Sequence, residues 1–102
     1  ASESPDMLKS GSCVNNYCLV ARSGQYKACQ QSDGNLVIYN GPNAAWSNNK
    51  NIEESELCLE SNGNLVAFDK KGRRQWSSNT ENKGEAPYRL HMQNDGNLVV
   101  YD

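Results

Sequence analysis

The sequence predicts an all-β fold of three equivalent antiparallel sheets, and three observations predict it. A nine-residue phrase is written three times, as "QSDGNLVIY" from Gln31 to Tyr39, "ESNGNLVAF" from Glu60 to Phe68 and "QNDGNLVVY" from Gln93 to Tyr101. A second marker, Trp-Ser-x-Asn, follows the first two phrases at Trp46 and Trp76. Apolar and polar residues alternate with period two on both sides of each phrase's glycine, which is the signature of half-buried strands and not of helices. A unit of about thirty residues that recurs cannot bury its apolar face alone, so its copies must pack against one another.

Taken in order, Ala1 to Asp6 ("ASESPD") is small, polar and proline-bearing and reads as a mature N-terminus or a flexible tail. One domain spans residues 1–102, with repeats over about 8–48, 49–79 and 80–102. Leu36, Ile38 and Ala28 form the inward set of the first repeat, Leu57, Leu59, Leu65 and Ala67 that of the second, and Leu90, Met92, Leu98 and Val100 that of the third. The Asp-Gly-Asn or Asn-Gly-Asn triplet in each phrase supplies a positive-φ glycine and side chains that bond their own backbone, as a tight hairpin requires. Three such sheets, each with one apolar face, bury those faces by turning them toward a common axis, giving a three-sided prism.

Trp46 and Trp76 occupy corresponding places and are expected in the core near that axis. Gln30 departs from the pattern, since it falls where Leu59 and Met92 are apolar; it is expected to weaken the first repeat's core or to mark a bulge. A third Trp marker would fall past Asp102, so the third repeat is expected to lack its closing strand and to expose an edge beside Val99 and Tyr101. Either the stretch from Met7 to Gly11 covers that edge, or two chains meet there in a twofold contact. A homodimer is the expectation.

Ten basic and twelve acidic residues leave a net charge of -2, which argues against a nucleic-acid partner held through phosphates. The basic cluster "DKKGRRQ" reads as a charged loop between two strands. No run of residues is apolar enough to insert in a membrane. Cys13, Cys18, Cys29 and Cys58 are an even set in a short, core-poor chain, which favours two disulfides and a secreted or extracellular protein. No metal or other cofactor is expected, because there is no C-x-x-C pair and the only histidine, His91, lies far along the chain from every cysteine. Pairing is open. A hairpin about Ser23-Gly24 would place Cys18 opposite Cys29 and leave Cys13 for Cys58; a local Cys13–Cys18 bridge would leave Cys29 for Cys58.

The polar letters of the phrase carry the chemistry. If Leu36 and Ile38 face the core, Val37 and Tyr39 face outward beside Asn35, and Gln31 and Asp33 join them. Together they provide a carboxylate, two primary amides, a phenol hydroxyl and a small apolar floor. That set suits a neutral polyol, whose vicinal hydroxyls each donate and accept while its C–H face needs apolar contact. Turn chemistry alone would explain Asp33, Gly34 and Asn35, but not the recurrence of Gln31 and Tyr39 as Gln93 and Tyr101. An enzyme is disfavoured: triad chemistry would rest on His91 alone, and glycoside cleavage needs two acids across one groove where each patch offers one, Asp33 or Asp95.

The motif Gln-x-Asp-x-Asn-x-Val-x-Tyr at this spacing, followed by Trp-Ser-x-Asn, resembles that of the monocot (bulb-type) mannose-binding lectins, typified by the snowdrop lectin, over about residues 8–102. The resemblance implies the β-prism II fold, with three four-stranded sheets around a pseudo-threefold axis, and non-catalytic recognition of mannose or mannosylated glycans and glycoproteins. It implies that Asp33 and Asn35 hold O2, Gln31 holds O3, Tyr39 holds O4 and Val37 meets ring carbons. Asp95, Asn97, Gln93, Tyr101 and Val99 take the same roles in the third repeat. In the second repeat Glu60 stands for Gln, Asn62 for Asp and Phe68 for Tyr, while Asn64 and Val66 remain, so that site is expected to be degenerate. Members of the family that have lost their sugar sites suggest an alternative, a protein-recognition, inhibitor or defence protein with vestigial patches.

Overall fold

The computed structural model describes residues 5–49 and 55–102. Residues 1–4 of the expected tail and most of the junction between the first two repeats lie outside the described residues.

Among the described residues there are eleven short strands: β1 Met7–Lys9, β2 Ser12–Val14, β3 Tyr17–Val20, β4 Tyr26–Gln30, β5 Leu36–Asn40, β6 Asn43–Ser47, β7 Glu56–Leu59, β8 Leu65–Phe68, β9 Arg74–Ser77, β10 Arg89–Met92 and β11 Leu98–Tyr101. They form three antiparallel sheets, ordered β3-β4-β5-β6, β2-β7-β8-β9 and β1-β10-β11. We call these the first, second and third sheets. Only the first is contiguous in sequence. The N-terminal segment lends β2 to the second sheet and β1 to the third, so the sheets and the sequence repeats do not share boundaries.

Register explains the core. Leu19, Ala28, Ile38 and Trp46 lie side by side across the first sheet, and Val14, Leu57, Ala67 and Trp76 across the second. Leu8, Leu90 and Val100 make the corresponding row of the third sheet. With the flanking row of Leu36, Leu59, Leu65 and Met92, these side chains meet on the axis; most are buried, and Leu59 and Ala67 are inaccessible to solvent.

The third sheet has three strands among the described residues. The expectation that both tryptophans lie in the core holds for Trp76, which packs against it, and is corrected for Trp46. They face inward, but from edge strands, and among the described residues no strand of the third sheet closes over them. Trp46 is 45% exposed and Trp76 half-buried, their rings 6.4 Å apart at 60°. They line an open cavity of about 540 Å³ together with Leu98 and Val100.

Of the two alternatives for covering the edge, the N-terminal stretch is not the one found. Met7–Lys9 pairs with β10 and not with the open edge of β11. The loop at Lys83 and Gly84 borders β11 instead, and Glu85 N–H donates to the Asp102 carboxylate at 3.3 Å. Pro5 and Asp6, assigned to the flexible tail, are tied in: Val20 N–H donates to the Pro5 carbonyl at 2.9 Å and Met92 N–H to that of Asp6 at 2.8 Å.

Both disulfides follow from strand register. Cys18 faces Cys29 across β3 and β4, and Cys13 faces Cys58 across β2 and β7. The bonds are Cys18–Cys29 and Cys13–Cys58, which selects the hairpin pairing over the local Cys13–Cys18 bridge. Each lies on the outer face of its sheet, in one row with Val37 or Val66. In the third sheet Met7 and His91 take that place beside Val99.

Candidate functional site

Each nine-residue phrase folds as the same turn. The N–H of Gln31, Glu60 or Gln93 donates to the carbonyl of Asn35, Asn64 or Asn97, and the N–H of Gly34, Gly63 or Gly96 returns to the first residue's carbonyl, all at 2.8–3.1 Å. The three glycines have φ of 91°, 87° and 90°, a conformation that a side chain disfavours. Residue 33, 62 or 95 then accepts the backbone N–H two residues on, at 3.0–3.1 Å. The turn thus aims two polar side chains outward before the second strand begins.

On the first sheet the expected residues come together in two pairs. Gln31 Nε2 donates to the Tyr39 hydroxyl. Asn35 Nδ2 lies 3.5 Å from Asp33 Oδ2. On the third sheet the arrangement is the same: Gln93 Nε2 donates to the Tyr101 hydroxyl, and Asn97 Nδ2 reaches Asp95 Oδ2 at 3.2 Å. Asp33 and Asp95 are exposed, Asn35 is half-buried, and Tyr39 is half-buried where Tyr101 is 38% exposed. The apolar floor is deeper than expected. Val37 is only 6% exposed, because the Cys18–Cys29 disulfide lies beside it on the outer face, while Val99, flanked by His91, is half-buried.

Surroundings differ between the two patches. A β-bulge between Ile38 and Tyr39 places Ala44 opposite Tyr39, and its single methyl leaves the patch open. Tyr101 is bracketed on one side. The His91 ring meets it edge-on at 5.5 Å, and the Arg89 guanidinium lies 5.9 Å from its centre while Arg89 Nε donates to His91 Nε2 at 3.1 Å.

The middle patch is occupied by the protein itself. The equivalent bulge between Ala67 and Phe68 puts Arg74 opposite Phe68. Its guanidinium lies 5.5 Å from the centre of the Phe68 ring and pairs with Glu60 Oε2 at 2.8 Å. Asn64 is 5% exposed, and its Oδ1 accepts from Ser77 Oγ at 2.9 Å, Thr80 N–H at 3.3 Å and Ser78 Oγ at 3.4 Å. Arg74 therefore joins two of the degenerate letters, Glu60 and Phe68, while the retained Asn64 is held by its own bonds. Sequence reasoning missed Arg74, because "DKKGRRQ" reads as a solvated loop; the signal available was its closeness to a Phe that had replaced Tyr. The rest of that loop is as expected: Asp69 accepts from the N–H groups of Lys71 and Arg73, each at 2.9 Å, and closes the β8–β9 turn.

No family model matches the chain. It is 37% identical over 84 residues, covering 80% of this chain and 73% of the relative, to the B-type lectin plumieribetin of Scorpaena plumieri. It is 34% identical over 79 residues, covering 76% and 72%, to a mannose-specific lectin of Aloe arborescens. The chain belongs to the bulb-type lectin family. Among solved structures, the mannose-specific snowdrop (Galanthus nivalis) agglutinin in complex with methyl-α-D-mannoside superposes with a TM-score of 0.87 at 28% identity, over 95% of this chain and 89% of that one. Monomeric mannose-binding lectins from Gastrodia elata give 0.86 at 33% identity, over 95% and 87%. The bulb-type lectin fold here is thus the β-prism II, and lectins bind carbohydrate without turning it over.

Proposed function

We propose that this bulb-type lectin binds mannose or terminal mannosyl groups at two sites, Gln31, Asp33, Asn35, Val37 and Tyr39 on the first sheet and Gln93, Asp95, Asn97, Val99 and Tyr101 on the third, with the middle site silent. The observation that carries the reading is the duplicated Gln–Tyr and Asp–Asn pairing on an outer face, built twice by one turn and obstructed once by Arg74. Each open patch presents amide and hydroxyl groups that both donate and accept, a carboxylate that accepts, and a valine for the sugar's C–H face. Asp33 and Asn35 would take O2, Gln31 O3 and Tyr39 O4, with the third-sheet residues in matching roles. Relatives described as mannose-specific, and the mannoside complex of the snowdrop protein, support the same reading.

Three or four neutral hydrogen bonds at a net of roughly 1 kcal/mol each correspond to a dissociation constant on the order of 1 mM per site. Two rigidly placed sites raise avidity for clustered mannosyl glycans by roughly 10² to 10⁴. Calorimetric titration with methyl α-mannoside, against methyl α-galactoside as control, should give two weak equivalents per chain for the first sugar and no heat for the second. Submicromolar binding, or equal response to both sugars, rules the reading out. The cross-strand disulfides support a secretory location, tested by signal-dependent export in a native host.

A homodimer is proposed on one observation: among the described residues β11 pairs with β10 alone, and its inward Leu98 and Val100 border, with Trp46 and Trp76, an open apolar cavity. A second copy meeting it about a twofold axis covers both. Sedimentation that reports a monomer at every concentration, the state ascribed to the Gastrodia elata lectins, removes the dimer and leaves the sugar sites standing.

A further inference from the structure

Behind each sugar-site turn the three sheets meet at a seam, and the seams are not alike. Tyr26, Ser55 and Tyr88 hold equivalent positions, each next to the residue (Lys27, Glu56 or Arg89) that faces the phrase's final aromatic. Gln30, Leu59 and Met92 are likewise equivalent, facing Leu36, Leu65 and Leu98. At two seams a tyrosine from one sheet lies flat on the turn glycine of the next. A methyl group added to Gly96 would come within 2.8 Å of the Tyr26 ring, and one added to Gly63 within 2.7 Å of the Tyr88 ring. Tyr26 thus supports, from the first sheet, the turn that carries Asp95 and Asn97 on the third.

At the remaining seam the tyrosine is replaced by Ser55, which is inaccessible to solvent. Gln30, 1% exposed, fills that side: its Nε2 donates to Ser55 Oγ at 2.6 Å and lies 3.5 Å from the carbonyl of Gly34, in the turn that carries Asp33 and Asn35. The polar residue that breaks the apolar pattern and the serine that breaks the tyrosine pattern are therefore partners. The Gln30 amide nitrogen has these two neighbours while its buried Oε1 has no partner among the described residues, and the longer of the two contacts reaches the back of a binding turn.

We propose that Gln30 with Ser55, and Tyr26, are positioning residues for the two sugar sites: the first pair holds the Asp33–Asn35 turn, and Tyr26 holds the Asp95–Asn97 turn from a neighbouring sheet. The proposal rests on the mannoside reading above. None of the three reaches the sugar. Each sets where the turn's outward side chains stand, so its loss affects one site and spares the other.

The test is a site-resolved NMR titration of the whole chain with methyl α-mannoside, following the backbone amides of Asn35 and Asn97. Tyr26→Leu should weaken the response at Asn97 by roughly three- to tenfold, the worth of about one net hydrogen bond, and leave Asn35 unchanged, whereas Tyr26→Phe keeps the ring and restores it. Ser55→Ala should do the reverse, weakening Asn35 alone. Gln30→Leu with Ser55→Tyr, which rebuilds the seam used elsewhere, should recover the Asn35 response that Gln30→Leu loses by itself. The conservative pair Tyr26→Phe and Ser55→Ala suffices should the larger changes prevent folding: loss at Asn97 in the first, or retention at Asn35 in the second, overturns the proposal. Equal losses at both amides in any variant overturn it too. No response at either amide in the unmodified protein overturns the mannoside reading, and this proposal with it.

Discussion

The first and second sheets carry the same turn, the same bulge and the same outer-face disulfide, yet one presents an open polar patch and the other a closed one. The difference lies in what stands opposite the last aromatic of the phrase. In the first sheet Ala44 faces Tyr39; in the second Arg74 faces Phe68 and reaches Glu60. Loss of a site here is not erosion of a surface into disorder. The substituted residues compensate one another: a carboxylate in place of Gln neutralises the arginine, and a phenyl ring in place of the phenol offers its face to the guanidinium. A backbone that presents an open polar patch serves equally well to seal one.

The largest effect is expected from what the two sheets share. Replacing Cys13 and Cys58 by serine opens a crosslink spanning 45 residues, and replacing Cys18 and Cys29 opens one spanning 11. Chain-entropy reasoning gives about 4 kcal/mol for the first and about 3 for the second. Denaturant unfolding should rank them in that order, and the reverse order would place the stabilisation in the folded state.

Rebuilding the middle patch sharpens the comparison next. Arg74→Ala with Glu60→Gln, Asn62→Asp and Phe68→Tyr should convert a silent patch into a third mannoside site, raising the calorimetric stoichiometry from two to three. Arg74→Ala alone should not, because the ring still lacks its hydroxyl and Glu60 cannot donate. The converse, Ala44→Arg with Gln31→Glu and Tyr39→Phe, should close the first-sheet site and lower the count to one. Removing only the hydroxyl, by Tyr39→Phe, should cost about 1 kcal/mol, a roughly fivefold weaker site, and Tyr101→Phe a similar amount at its own.

A smaller effect concerns the turn that delivers Arg74. Asp69 has its pKa lowered from 3.8 to about 2, first by the Arg73 N–H and further by the Arg73 side chain and the Lys71 N–H, against an opposing contribution from burial. Its folded value is the depressed one, so its contribution is present above the unfolded value and is lost as pH falls from near 4 through about 2. Chemical-shift titration should find the β8–β9 turn intact at pH 3, with Asp69 protonating below its unfolded value.

Much of this architecture is legible in the sequence because it is local. Alternation assigns the inward rows, the Asp-Gly-Asn turn identifies the hairpins, and a hairpin register about Ser23-Gly24 places Cys18 against Cys29. In the first and third phrases the structure pairs Gln with Tyr and Asp with Asn. What was not legible depends on pairs remote in sequence or on irregular register. The bulges that seat Ala44 and Arg74 leave no mark in the alternation. The role of Gln30 requires knowing that Ser55 lies beside it. The exposure of Trp46 follows from the absence of a neighbour in another sheet, which its own surroundings in the chain do not reveal.

The N-terminal segment lends a strand to each of two sheets whose other members come much later in the chain, and this has a bearing on biogenesis. During synthesis β3 to β6 emerge together and can zip up as a unit, drawing Cys18 and Cys29 into contact early. Cys13 has no native partner until Cys58 is made, and Met7–Lys9, made before either, has none until β10 is made. Of these strands, the first to be made is therefore the last to be fastened. Until then the segment's unpaired strands and lone thiol are open to whatever chaperone or oxidoreductase attends the emerging chain.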